Sequence, residues 1–196
     1  MKPFFMGKIM KSYLITDPKY YTNNIDIFKN RLEYILSQFH IDMVCFRDKQ
    51  SDNIDDLAKV FIDISKKYNI ENIYINSNIE LAYKYQYDGV HLTSTQFNSI
   101  SKAKELGLKV IISCHNDIDI EKAIYHKVDT ITYSPIFNTP NKGEPKGIDK
   151  LQRVMDNYNI QIIALGGIVT NEQISKIKYI KCYGFASIRY FIPNQF

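Results

Sequence analysis

The feature that most limits the possible folds is a repeated unit. A short apolar run, too continuous for a strand with one wet face, is followed by a stretch whose apolar residues recur at helical spacing. Residues 12–16 form the first run, closed by Asp17-Pro18, and Ile25, Phe28, Leu32, Ile35 and Phe39 then mark a helix. Further runs occupy 41–46, 72–76, 90–92, 109–113, 128–133, 162–165 and 183–188. Between them lie a helix over Leu57, Val60, Phe61 and Ile64, capped by Asp52 or Asn53, and another over 97–106 with Gly107 just past its end. Ile120, Ala123 and Ile124, residues 149–158, and Ile174 with Ile177 mark three more.

Strands that alternate with helices about every 20–25 residues make parallel βαβ units. Eight such strands without a composition break predict an α/β fold, the closed (β/α)8 or TIM barrel. At 196 residues it is small for that fold, which typically needs about 250. The expected last helix is truncated or missing. Residues 1–11 read as an N-terminal tail, with Met10 an alternative start, and 12–196 as a single barrel domain. An open doubly wound sheet is the competing architecture, but no GxGxxG follows the first strand.

Composition narrows the function classes. Hydrophobic residues at 45% and aromatics at 13% indicate a globular chain. The net charge of +4 is scattered, with no Lys/Arg stripe of the kind nucleic acids need. No apolar run approaches a membrane span. Cys45, Cys114 and Cys182 are far apart and form no CxxC pair, so no disulfide framework or zinc site is indicated. The expected setting is cytoplasmic.

In a barrel of parallel strands, chemistry gathers at the C-terminal strand ends. Strand two ends in Arg47 and Lys49, which share a face, with Cys45 below them and Asp48 turned away. Strand three offers Asn76 and Ser77, and strand five Ser113 and His115. A long loop after strand six, 134–147, carries Thr139 and Lys142. Strand seven ends in Gly166-Gly167, where missing side chains let backbone N–H groups approach an anion. Strand eight ends in Ile188-Arg189. Cations, hydroxyls and bare amides in one place suit a small phosphorylated substrate. Each also has a structural reading. Arg47 and Lys49 fit a solvated strand end, His115 a helix cap, Gly166-Gly167 a tight turn, and Thr139 and Lys142 a decorated loop. Cys45, Cys114 and His91 read as structural.

The pieces Phe46-Arg47-Asp48-Lys49, Ile75-Asn76, residues 88–92, Ser113-Cys114-His115, residues 134–139 with Lys142, and residues 165–168 with Asn171 stand one per strand end. In this order the chain resembles the thiamine phosphate synthase/TenI family over nearly its whole length. The resemblance implies a (β/α)8 barrel, a homodimer, and a role in thiamine biosynthesis. One branch, the synthase, joins a pyrimidine diphosphate to thiazole phosphate with Mg²⁺. The other, the TenI-like thiazole tautomerase, moves a proton to aromatise a carboxylated thiazole phosphate without metal. By resemblance Gly166, Gly167, Ile188 and Arg189 would hold the thiazole phosphate. Arg47, Lys49, Asn76, Ser113, Thr139 and Lys142 would line the substrate site, and His115 would be the catalytic acid/base.

Departures point to the branch. The synthase has Gln where this chain has Cys45. Its two magnesium-ligating aspartates correspond here to Ser77 and Gln96. The expectation is therefore a metal-independent tautomerase without a cofactor. A synthase using Mg²⁺ is the alternative, and a catalytically inactive thiazole-phosphate binder the second.

Overall fold

The structure is a computed structural model and describes residues 10–193. Most of the expected tail, residues 1–9, lies outside the described residues. The elements follow one another as β1 (Lys11–Ile15), α1 (Pro18–Tyr21), α2 (Ile25–Gln38), β2 (Met43–Phe46), α3 (Ile54–Lys67), β3 (Asn72–Asn76), α4 (Ile79–Lys84) and β4 (Gly89–Leu92). Then come η1 (Phe97–Ser99), α5 (Ile100–Glu105), β5 (Lys109–Cys114), α6 (Asp117–Tyr125), β6 (Thr130–Tyr133), α7 (Gly147–Asn157), β7 (Gln161–Leu165), α8 (Asn171–Tyr179), β8 (Gly184–Ser187) and η2 (Arg189–Phe191). The strands pair in parallel and in chain order, and β8 returns to β1. The fold is a small (β/α)8 barrel.

Continuous apolar strands are explained by burial on both faces. Leu14, Val44, Ile73, Val90, Val110, Ile131 and Ile162 point outward under the helices. Their neighbours Tyr13, Ile15, Met43, Cys45, Tyr74, Ile111, Ile163 and Ala186 fill the barrel itself. One-residue alternation sends each strand's side chains to both layers.

Two strands start two residues later than their apolar runs, β2 at Met43 and β6 at Thr130. The cause is an aspartate at the foot of alternate strands. Asp42 accepts the Ser12 amide at 2.8 Å, Asp88 the Ile73 amide at 2.8 Å, and Asp129 the Val110 amide at 2.7 Å. Each carboxylate occupies the place of a ladder carbonyl, so regular pairing begins beyond it. These acids stand at the N-terminal face, opposite the end where a barrel does chemistry.

Among the described residues, a single 3₁₀ turn, η2, follows β8. Aromatic rings cover the barrel there. Phe191 is 1% exposed and packs on Phe39 at 5.5 Å and Phe185 at 6.0 Å between centroids. No helix among the described residues is long and apolar enough to cross a membrane.

Candidate active site

A cavity of about 830 Å³ opens at the C-terminal ends of the strands. Arg47, Lys49, Asn76, Ser113 and His115 line it from β2, β3 and β5, together with Thr139 and Lys142 from the β6–α7 loop. Gly166, Gly167, Ile188 and Arg189 line it from the ends of β7 and β8. All the strand-end candidates except Ser77 thus share one wall system. Asp48 does not; it is buried and accepts the Gln50 and Ser51 amides and the Ser51 hydroxyl. Burial opposes its charge, but those three bonds together hold its carboxyl below the usual range.

The Gly166-Gly167 turn owes its composition first to packing. Gly166 has φ +97° and Gly167 φ +70°. A Cβ on Gly167 would stand 2.5 Å from the Asn138 carbonyl oxygen, and one on Gly166 2.8 Å from the Pro135 Cα. The β6–α7 loop is therefore docked on the turn. Ile136 donates to the Leu165 carbonyl and Phe137 to the Gly166 carbonyl, both at 3.0 Å. The Gln173 side chain donates to the Gly167 carbonyl at 2.9 Å. In a planar trans peptide the N–H points opposite to the carbonyl. The Gly167 and Ile168 amides therefore face away from these partners, at residues that line the cavity. Only glycine allows the loop so close.

His115 is exposed at the mouth and held at both ends. Its amide donates to Asp119 at 2.8 Å, just ahead of the α6 cap at Asn116. Its ring Nδ1 stands 3.1 Å from the Ser134 carbonyl oxygen. The Ser134 hydroxyl stands 3.3 Å from the same nitrogen, so Ser134 occupies Nδ1 from two sides.

The cavity floor contains a residue read from sequence as structural. His91 is 4% exposed, lines the cavity, and is wired on both nitrogens. Nδ1 meets the Tyr13 hydroxyl at 3.2 Å, and Nε2 meets Ser113 at 3.2 Å and Thr132 at 3.3 Å. Burial, then the Arg47 charge, lowers its pKa to about 4, so it is neutral. Asn76 donates to the His91 carbonyl at 2.8 Å. Cys45 lies inside the barrel, and burial pushes its thiol up to about 12.

Sequence reading also missed Asp17, Lys19 and Tyr20, which reach the mouth from the β1–α2 segment. The Asp-Pro pair signals a stop; that the next turn would fold over the cavity has no local signature.

The residues present do not fit a divalent cation. Gln96 accepts the Thr93 amide at 3.0 Å and donates to the Ser77 carbonyl at 3.3 Å, so a neutral amide joins the β3 and β4 loops. Asp88 is at the far end of the barrel and Asp48 is committed to its turn. No cluster of three or more His, Cys, Asp or Glu with metal-binding geometry occurs among the described residues. Magnesium needs carboxylates, and the cavity's one carboxylate among the described residues, Asp17, is bonded to Arg47 at 2.7 Å.

Lys19, Lys49, Lys142 and Arg189 add charge without a cavity carboxylate of their own. Fold and mouth together define a class: a (β/α)8 barrel with a cationic, glycine-edged cavity at the C-terminal ends of its strands. The profile described as thiamine monophosphate synthase (TMP-TENI) matches residues 12–191, and the chain belongs to that family. Its members are enzymes of thiamine biosynthesis. "Putative thiamine-phosphate synthase 2" of Aquifex aeolicus is 34% identical over 190 residues, covering 94% of this chain and 99% of that one. The thiamine-phosphate synthase of Lactococcus lactis is 27% identical over 182 residues, covering 86% and 83%. The solved thiamine phosphate pyrophosphorylase of Pyrococcus furiosus shares the fold, with a TM-score of 0.78 at 19% identity over 91% of this chain and 85% of that one.

Proposed function

We propose that the protein is a thiazole tautomerase of this family, isomerising a carboxylated thiazole phosphate without metal. The observation that carries the reading is the Ser77–Gln96 contact. Where synthases of the family would place two acids, this chain has a serine carbonyl accepting from a neutral amide at 3.3 Å. A leaving diphosphate calls for charge that such a pair does not supply. A proton transfer needs less: an anchored substrate and one group that both takes and gives a proton.

In this reading the Gly167 and Ile168 amides, with Ile188 and Arg189, bind the phosphate. Arg47 and Lys49 face the carboxylate. His115 Nε2 takes a proton from one position of the heterocycle and returns it at another. Atoms and charge balance, because the imidazolium formed in the first step is spent in the second.

A second reading is favoured by the names of the relatives, which are synthases. In it the cations at the mouth would replace the metal in holding a pyrimidine diphosphate. Two assays on the pure protein separate the readings. Aromatisation of the tautomer substrate faster than in buffer, at the same rate in excess EDTA and in excess Mg²⁺, supports the tautomerase. Pyrophosphate release from the pyrimidine diphosphate and thiazole phosphate, with no effect on the tautomer, replaces it with the synthase. Calorimetric binding of thiazole phosphate with neither turnover makes the chain a non-catalytic member.

A further inference from the structure

Asp17 is the only carboxylate among the described residues that line the cavity, and the chemistry above does not use it. Its two oxygens serve two elements. One accepts the Lys19 amide at 3.0 Å and caps α1. The other accepts from the Arg47 guanidinium at 2.7 Å. Arg47 is also held at its backbone. Its amide donates to the Thr16 hydroxyl at 2.8 Å, and that hydroxyl donates to the Arg47 carbonyl at 3.3 Å. The Thr16 amide in turn donates to the Cys45 carbonyl at 3.0 Å. The end of β1 thus grips both the main chain and the head group of Arg47.

Stability is a poor explanation for the ion pair. Its side chains are 32% and 25% exposed, and pairs that meet water contribute little. What the pair changes is freedom. A loose arginine must be ordered when an anion arrives. A guanidinium already fixed by one nitrogen keeps its other donors aimed and loses less entropy on binding.

We infer that Asp17 is a positioning residue: it holds Arg47 as a preformed anion-binding arm on the β1–β2 wall of the cavity. The inference rests on the proposed function only for the identity of the substrate.

Asp17→Asn separates the two roles, because asparagine caps a helix as well as aspartate does but brings no charge to Arg47. The experiment is calorimetric titration of inorganic pyrophosphate into wild type, Asp17→Asn, Arg47→Ala and the double variant. Asp17→Asn weakens binding about five- to tenfold, and the double variant is no weaker than Arg47→Ala alone. Asp17→Ser, another capping residue, behaves like Asp17→Asn, and Asp17→Glu recovers most of the loss. In turnover, Asp17→Asn raises KM and leaves kcat within about twofold. Wild-type or tighter binding by Asp17→Asn and Asp17→Ser, or losses that multiply in the double variant, would overturn the inference. A wild type without tautomerase activity would sink the functional reading and leave this titration intact.

Discussion

The Nδ1 of His115 lies 3.1 Å from the carbonyl oxygen of Ser134, a bond between the ends of two neighbouring strands. With the Ser134 hydroxyl 3.3 Å from the same nitrogen, it holds the ring in place. An isolated histidine at a cavity mouth would rotate; this one presents Nε2 while its other nitrogen is occupied. Replacing His115 by alanine is expected to slow thiazole aromatisation by about a hundredfold or more, the usual worth of a positioned acid/base. Thiazole phosphate binding, measured by calorimetry, should stay within a few-fold, because the proposed phosphate site draws on β7 and β8 and His115 follows β5. An alanine variant as fast as wild type removes His115 from the mechanism.

Gly167 tests the docking of the β6–α7 loop. With φ +70° and the Asn138 carbonyl oxygen 2.5 Å from an added Cβ, alanine meets both backbone strain and a clash with main chain. Gly167→Ala is expected to destabilise the fold by about 2–4 kcal/mol in urea unfolding. Phosphate affinity should fall as well, since relief requires the loop to lift from the turn. Gly107, also at positive φ, has nothing within 4 Å of its added Cβ and provides the control. Gly107→Ala should show a smaller loss, from backbone strain alone, and keep its anion binding.

His91 links stability to pH. Burial and then Arg47 lower its pKa from 6.5 to about 4. Between those values the unfolded chain holds a proton that the folded chain does not, so stability rises with pH across the window. His91 therefore contributes fully above 6.5, and stability falls by about 3 kcal/mol as pH drops from 6.5 toward 4. Urea midpoints across that range should show the slope in wild type. A His91→Gln protein should be less stable above pH 6.5, because its hydroxyl partners lose their ring, yet nearly flat over the same range, so the gap narrows as pH falls. An unchanged slope would assign the effect to another group.

Phe191 stands where a final outer helix would cover the barrel. It is 1% exposed between Phe39 and Phe185. Phe191→Ala is expected to cost about 3–5 kcal/mol of unfolding free energy, as large aromatic deletions do. Phe191→Leu should recover part of it. A loss below about 1 kcal/mol would mean that this aromatic cover contributes little to folding.

The barrel was legible because its signals are local. Each strand announces itself by an unbroken apolar run, and eight of them with helical spacing between leave few topologies. Strand ends were less legible. Val128 and Ile41 look like strand residues, but whether a run pairs at once depends on Asp129 and Asp42 reaching a neighbouring strand's amide. That contact joins residues 19 and 30 positions apart.

The site divides in the same way. Arg47, Lys49, His115 and the glycine pair could be named because a parallel barrel collects its strand ends on one face, so order along the chain predicts proximity in space. His91 reads from the sequence as structural; only closure of the barrel places it beneath the cavity.

The linear chain by itself determined the barrel and the residue types at its rim, since both follow from periodicity and from what stands at each strand's end. The tertiary structure alone decided how those residues are held. Ser134 holds the ring of His115, Pro135 and Asn138 make Gly166 and Gly167 obligatory, and Asp17 grips Arg47. Each of these is a contact between different strand ends, and such contacts come into being only when the ring closes.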